Sequence, residues 1–215
     1  MEKKLEIVCV LDRSGSMSGK EKDTIGGYNG LLNKERENCP DSYVTTVLFD
    51  DRYETLIDRK KISEVPELTE KEYYVRGCTA LLDAIGKTVS HIENIHRYIR
   101  KEDIPEHTVF MITTDGLENA SREYSLSQVR EMITRLTEKE GWEFLFFGAN
   151  IDAIGTARAY GIRETNAVNY HNDEKGIQTV YEAACCAMNT VRECGSLKED
   201  TAWRKKADKD YKSRK

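Results

Sequence analysis

The chain has no apolar run approaching the ~18–20 residues of a membrane span, and residues 1–4 (MEKK) lead into a short strand-like run with no cleavage-like site. A secretory signal is therefore not expected. Six cysteines stand at 9, 39, 78, 185, 186 and 194 without CxxC pairing or a regular framework, which argues against both a zinc site and a disulfide scaffold. They read as small apolar fillers in a reducing compartment, and the expected localisation is cytoplasmic. The histidines at 91, 96, 107 and 171 have no metal-ligand spacing with thiols or carboxylates and read as structural. No phosphate-cradling P-loop, no GxGxxG fingerprint and no Ser/His/Asp arrangement occurs. A net charge of −5 is too mild to require nucleic acid or membrane as a partner.

The chain does have strand-like and helix-like segments in alternation. Its 215 residues fit one ordinary domain with a sizeable core. Leu5–Leu11 is a continuous apolar run, as expected of a central strand covered on both faces. Residues 20–38 read as a helix, in which Gly26, Gly27 and Gly30 either weaken the assignment or mark close helix–sheet packing. Tyr43–Phe49 and Tyr53–Ile57 read as a hairpin about Asp50-Asp51, and a short helix is expected near 69–73. Ala80–Ile99 is helical, His107–Thr114 a buried strand, Ser125–Lys139 helical and Trp142–Phe147 a strand. A short helix near 152–160, a weak strand Ala167–Tyr170 and a long helix Asp173–Glu193 follow. The alternation predicts an α/β fold with a mostly parallel sheet. Residues 196–215 carry eight Lys/Arg against four Asp/Glu. They read as a flexible basic tail beyond a domain ending at residue 195.

The most informative stretch is Leu5–Met17, LEIVCVLDRSGSM. A β-branched run ends in Asp12, and Ser14 and Ser16 follow across a tight turn, placing three hard oxygen ligands at one spot. In a doubly wound sheet the loops beyond the carboxyl ends of the strands share one crevice. Asp115 follows the HTVFMITT strand and Thr79 precedes a helix in RGCTALLDA, so five oxygen-bearing side chains from three separated loops are expected to converge. Each has an ordinary reading by itself: a helix-capping turn for DRSGSM, an N-cap for Thr79 with Asp83 as a weak capping-box partner, and a simple turn for Asp115-Gly116. Hard oxygens with hydroxyls among them suit Mg²⁺ or Mn²⁺.

These residues resemble the von Willebrand factor A (VWA) family and its metal-ion-dependent adhesion site. Asp12-Arg13-Ser14-Gly15-Ser16 matches the family's Asp-x-Ser-x-Ser, Thr79 its threonine and Asp115 its second aspartate, and FFGANIDAIGTA (146–157) is similar to a stretch in many intracellular members. The resemblance implies an intracellular stand-alone domain with a six-stranded sheet in the order 3-2-1-4-5-6, one antiparallel edge strand and helices on both faces. It also implies Mg²⁺ held by the serines and the threonine, with the aspartates acting directly or through water. The expected function is non-enzymatic capture of an Asp or Glu carboxylate of a partner protein, and intracellular relatives often serve in complexes that include an ATPase.

Asp50, Asp51, Glu118 and Asp152 are expected on the same rim, with Arg13, Lys20, Lys22, Arg52 and Arg76 near them. Two other functions share parts of this pattern. A phosphoryl-transfer enzyme of the haloacid-dehalogenase kind also places an Asp after its first strand, but it needs a second carboxylate where this chain has Ser14. Nucleic-acid binding would fall to Lys205, Lys206, Lys209, Lys212, Arg214 and Lys215, with only Trp203 and Tyr211 interleaved.

Overall fold

The computed structural model describes residues 3–198 and 200–214. Those residues form one six-stranded sheet, in the order β3-β2-β1-β4-β5-β6. The strands are β1 (Leu5–Asp12), β2 (Tyr43–Phe49), β3 (Tyr53–Lys61), β4 (His107–Thr114), β5 (Glu143–Ala149) and β6 (Ala167–Tyr170). Pairing is parallel throughout except between β2 and β3. The helices are α1 (Glu21–Asn38), α2 (Leu81–Tyr98), α3 (Leu126–Lys139), α4 (Ala153–Ala159), α5 (Glu174–Cys194) and α6 (Lys205–Ser213).

Period-2 alternation in β1 divides the core. Leu5, Ile7, Cys9 and Leu11 join Tyr28 and Leu32 of α1 and Val180 and Met188 of α5 on one face. Val8 and Val10 join Ile85 and Val89 of α2 and Val129 and Ile133 of α3 on the other. Both faces of the central strands are covered, which is why they read as unbroken apolar runs.

Three expectations are corrected. The second hairpin strand continues to Lys61, because Arg59 takes a left-handed conformation (φ 42°) at a bulge and its N–H donates to Thr45 Oγ1 at 3.1 Å. Residues 69–73 form a single turn, with the Tyr73 N–H donating to the Thr69 carbonyl at 3.0 Å, and not a helix. The turn delivers Tyr73 into the core, where its hydroxyl donates to the Asp12 carbonyl oxygen at 2.5 Å.

The third correction concerns the basic tail. The chain does not fray at 195. Gly195 ends α5 in the left-handed conformation (φ 83°), its N–H donating to the Val191 carbonyl. The chain then turns back so that Leu197, Trp203 and Ala207 bury in the α5 side of the core. Trp203 meets Phe147 of β5 edge-on at 6.2 Å. Arg214 pairs with Asp173 and Asp210, fastening the end of α6 near the start of α5. Residue 215 lies outside the described residues.

The glycines of α1 divide by role. A Cβ on Gly27 would fall 2.2 Å from the Tyr181 ring, so it marks close packing of α1 on α5, helix on helix, whereas Gly26 and Gly30 face open space. Among the cysteines, Cys9, Cys39 and Cys185 are buried fillers, while Cys78, Cys186 and Cys194 are exposed; all six are free thiols.

Candidate functional site

The carboxyl ends of β1 and β4 and the start of α2 meet at one point. Asp12, the last residue of β1, is fully buried. The Ser14 N–H donates to its Oδ1 at 2.7 Å and the Thr114 hydroxyl donates to its Oδ2 at 2.6 Å. From there a chain of hydroxyls crosses the site. Thr79 Oγ1 donates to Ser14 Oγ at 3.1 Å, Ser14 Oγ and Ser16 Oγ are 3.0 Å apart, and Ser16 donates to Asp115 Oδ1. All five residues selected from sequence therefore converge. Ser16 is exposed at the mouth and the other four are buried.

The loops are fixed to one another through the backbone. The Gly15 N–H donates to the Gly77 carbonyl at 3.1 Å and the Arg76 N–H to the Arg13 carbonyl at 2.9 Å. A Cβ at position 116 would come within 3.0 Å of Thr79 Oγ1 and 3.3 Å of Ser16 Oγ, so a side chain there would press both hydroxyls out of place by a few tenths of an ångström. Thr79 is not the cap of α2. Its N–H donates to Asn119 Oδ1 at 3.0 Å, and its carbonyl accepts from the N–H groups of Asn119 and Ala120.

Asp83, expected as a capping partner, instead accepts the N–H groups of Arg122, Glu123 and Tyr124 at 2.8–2.9 Å. Glu118 answers from the loop side and accepts the Leu82 N–H at 2.8 Å. The two carboxylates clasp the loop after β4 onto the first turn of α2.

Burial raises the Asp12 carboxyl to about 6, against the pull of its Thr114 and Ser14 hydrogen bonds and with a small push from Asp115. Burial likewise raises Asp115, against its bonds to Ser16 and Asn172. No Lys or Arg forms an ion pair with either acid among the described residues.

Arg13, inside the motif, turns away from the crevice and is fully buried. It pairs with Asp50 at 2.9 Å and Glu54 at 2.6 Å, and Arg76 reaches the same Asp50 at 2.7 Å. Asp50 is thus an internal ion-pair residue rather than an open rim acid. Burial pushes its carboxyl up, but Arg76, the Arg52 N–H and Arg13 together hold it below its usual range. Asp152 caps α4, accepting the Gly155 N–H at 3.0 Å.

No family model matches the chain, and no curated protein sequence matches it. Solved structures do. The vWF domain of the type V pili tip protein Mfa5 from Porphyromonas gingivalis superimposes with a TM-score of 0.62 at 10% identity, covering 89% of this chain and 97% of that one. The SpRpn10 VWA domain gives 0.57 at 8% identity, covering 84% and 94%. The ArnB paralog VWA2 from Sulfolobus acidocaldarius gives 0.53 at 18% identity, covering 85% of this chain and 45% of that one. This chain has the VWA fold. Several neighbours are much longer proteins: the chain spans 45% of VWA2 and 45% of the mussel byssus protein PTMP1.

Within this VWA fold the donor set matches a hard divalent cation in its chemistry. Three hydroxyls bond mainly to one another, and two buried carboxylates lie beside them, paired with no Lys or Arg among the described residues. A third acceptor, Asn172 Oδ1, is buried in the same place without a partner. No group of three or more His, Cys, Asp and Glu side chains poised for a metal occurs among the described residues. Hydroxyl oxygens are ligands that Mg²⁺ and Mn²⁺ accept and that zinc does not prefer.

Thr114, Asn119 and Asn172 were not selected from sequence. Asn172 follows the carboxyl end of β6 and donates to Asp115 Oδ2 at 2.6 Å. The strand-end rule that selected Asp115 applies to it equally.

Proposed function

We propose that this VWA-fold chain is a protein-binding domain that captures an Asp or Glu carboxylate of a partner through Mg²⁺ or Mn²⁺. The observation that carries the reading is the convergence of Ser14, Ser16 and Thr79 beside Asp115 and Asp12, from three loops, at one open edge of the sheet. Ser14, Ser16 and Thr79 would hold the ion through their hydroxyls, with Asp12 and Asp115 behind them directly or through water. A bound divalent cation supplies a Lewis-acid position for an incoming carboxylate.

The chain's own residues do the rest. Neutral hydroxyl ligands take no charge from the ion, and carboxylates standing behind water quench it only in part, which favours an anionic partner group. Thr114 and the Ser14 N–H hold both oxygens of Asp12, and Asn172 holds the outer oxygen of Asp115, so the acids are positioned before any partner arrives. The neighbouring structures include a pilus tip protein and the Rpn10 VWA domain, which supports a protein partner. A multi-protein complex with an ATPase is the assembly in which such a domain would serve.

Catalysis of the phosphatase kind is disfavoured by position 14. The group standing two residues after Asp12 is a hydroxyl engaged by Thr79 and Ser16, not a carboxylate able to transfer protons near neutral pH.

The test is a calorimetric Mg²⁺ titration of the wild type, Ser14→Ala and Asp115→Ala, beside an affinity capture with and without EDTA using Asp12→Ala as the control. Metal binding that is lost in the variants, and capture lost in EDTA, are expected. Equal Mg²⁺ affinity in wild type and both variants overturns the reading, as does Mg²⁺-dependent hydrolysis of an aryl phosphate abolished by Asp12→Asn.

A further inference from the structure

We propose that a groove beside the site takes a second carboxylate of the same acidic partner segment, read by Arg52 and Arg122; this rests on the carboxylate capture proposed above. The groove has a volume of about 590 Å³ and lies between the β2–β3 turn and the loop after β4. It adjoins the site through the chain neighbours of Thr79. Cys78 and Asn119 line it, and Asn119 is the residue whose Oδ1 accepts the Thr79 N–H at 3.0 Å. A peptide that places one carboxylate over Thr79 therefore has its neighbouring residues directed along this wall.

The charges inside the groove sort by whether the fold already uses them. Lys87 is paired with Glu123 at 2.6 Å. Asp83 is satisfied by three backbone N–H groups. Arg13 and Arg76, on the same side of the molecule, are both tied to Asp50. Arg52 and Arg122 remain. Both are exposed, both line the groove, and neither guanidinium has an acidic partner among the described residues. Against them stands one unpaired acid, Asp51.

Both arginines also rise from fixed backbone. The Arg52 N–H donates to Asp50 Oδ1 at 2.8 Å, and the Asp50 N–H donates to the Arg52 carbonyl at 3.0 Å. The Arg122 N–H donates to Asp83 Oδ2 at 2.9 Å. The groove thus presents two forked cations on rigid supports, a geometry that suits carboxylates and discriminates partners by charge. The occupant is a segment with a further Asp or Glu a few residues from the one held at the site.

The probes are fluorescein-labelled hexaglutamate and a labelled Gly-Gly-Asp-Gly-Gly peptide, followed by anisotropy at low salt in millimolar Mg²⁺ or in EDTA. Hexaglutamate is expected to bind more tightly than the single-aspartate peptide. The Arg52→Glu/Arg122→Glu double variant is expected to lose about tenfold or more of the hexaglutamate affinity. Its Mg²⁺ affinity by calorimetry and its binding of the single-aspartate peptide should match the wild type. Asp51→Asn is expected to bind hexaglutamate more tightly.

Unchanged hexaglutamate affinity in the double variant overturns the inference, and so does absence of hexaglutamate binding in both buffers. Hexaglutamate binding that survives EDTA and Asp115→Ala but is lost in the double variant upholds the groove and overturns the metal-dependent capture instead. The single variants Arg52→Gln and Arg122→Gln, checked by circular dichroism, carry the same comparison if the double variant does not fold.

Discussion

The side-chain amide of Asn172 donates to Asp115 Oδ2 at 2.6 Å, joining the loop after β6 to the acid that follows β4. The other Asp115 oxygen accepts from Ser16, so the carboxylate is held from two sides and its plane is set. Residues that orient a metal's ligands commonly matter about 10–100-fold for affinity. Asn172→Ala should therefore lower Mg²⁺ affinity by about tenfold while leaving the Tm of the metal-free chain within a few degrees. Calorimetric titration and a melt in EDTA check both halves.

Asp12 sets a pH dependence. Burial raises its carboxyl to about 6 in the folded chain against 3.8 for a solvated aspartate, so the folded chain holds the proton more tightly than the unfolded one. Without metal, the Asp12 contribution is most favourable below 3.8 and is lost as pH rises to about 6, a loss of about 3 kcal/mol at most. A divalent cation favours the ionised form and competes with that proton. The Mg²⁺-induced rise in Tm should be absent near pH 4, grow through pH 6 and level off above about pH 7. Paired melts in Mg²⁺ and EDTA across that range measure it. A rise that is largest at acid pH would contradict the burial of an uncompensated carboxylate.

Asp83 shows the opposite sign. Burial pushes its carboxyl up, but the N–H groups of Arg122, Tyr124 and Glu123 outweigh that and hold it below the usual range. Its stabilisation is present above the unfolded value and fades as pH falls through the folded one. Asp83→Ala removes the acceptor of three N–H groups and should cost about 2–3 kcal/mol. Urea unfolding reads the loss. Hydrogen exchange should show the Arg122–Tyr124 amides opening first, and because the same loop carries Asn119, Mg²⁺ affinity should fall too.

The strands and the five site residues were legible because each acid or hydroxyl stands just beyond a strongly apolar run or just before an amphipathic helix, and periodicity locates both. What was not legible lacked such a pattern. Tyr53–Lys61 has no alternation over IDRKK, and its continuation depends on the left-handed Arg59. Asn172 stands within reach of the strand-end rule, two residues past the short β6, but a neutral amide in a polar His-Asn-Asp stretch is not singled out by it. Arg13 belongs to the motif that sequence placed on the rim, yet its pairing with Asp50 and Glu54 depends on a hairpin about forty residues away. Residues 200–214 read as a solvated basic run, since Trp203 and Ala207 are their only buried apolar side chains.

The α1 glycines give a paired test of the packing. Gly26 and Gly30 would place a Cβ in open space, whereas at Gly27 it would lie 2.2 Å from the Tyr181 ring. Gly26→Ala and Gly30→Ala should each stabilise by about 0.5–1 kcal/mol through helix propensity. Gly27→Ala should destabilise by about 1–3 kcal/mol because α1 and α5 must separate. Denaturant midpoints of the three variants decide it, and equal gains at all three would mean that α1 and α5 are not in close contact.

Trp203 decides whether the C-terminal segment belongs to the domain. It is 4% exposed and meets Phe147 edge-on, and Leu197 and Ala207 are buried in the same cluster. A solvated tail would tolerate its removal, whereas a buried indole truncated to alanine costs about 3–5 kcal/mol. Trp203→Ala should therefore lower the urea midpoint substantially. Lys205→Ala and Lys209→Ala, on the exposed side of α6, should leave it unchanged. Limited proteolysis adds a second reading: the wild type should resist cleavage after Arg204 and Lys206, and Trp203→Ala should be cut there. A wild-type chain trimmed readily at those positions with no change in melting would return residues 196–215 to the role of a tail.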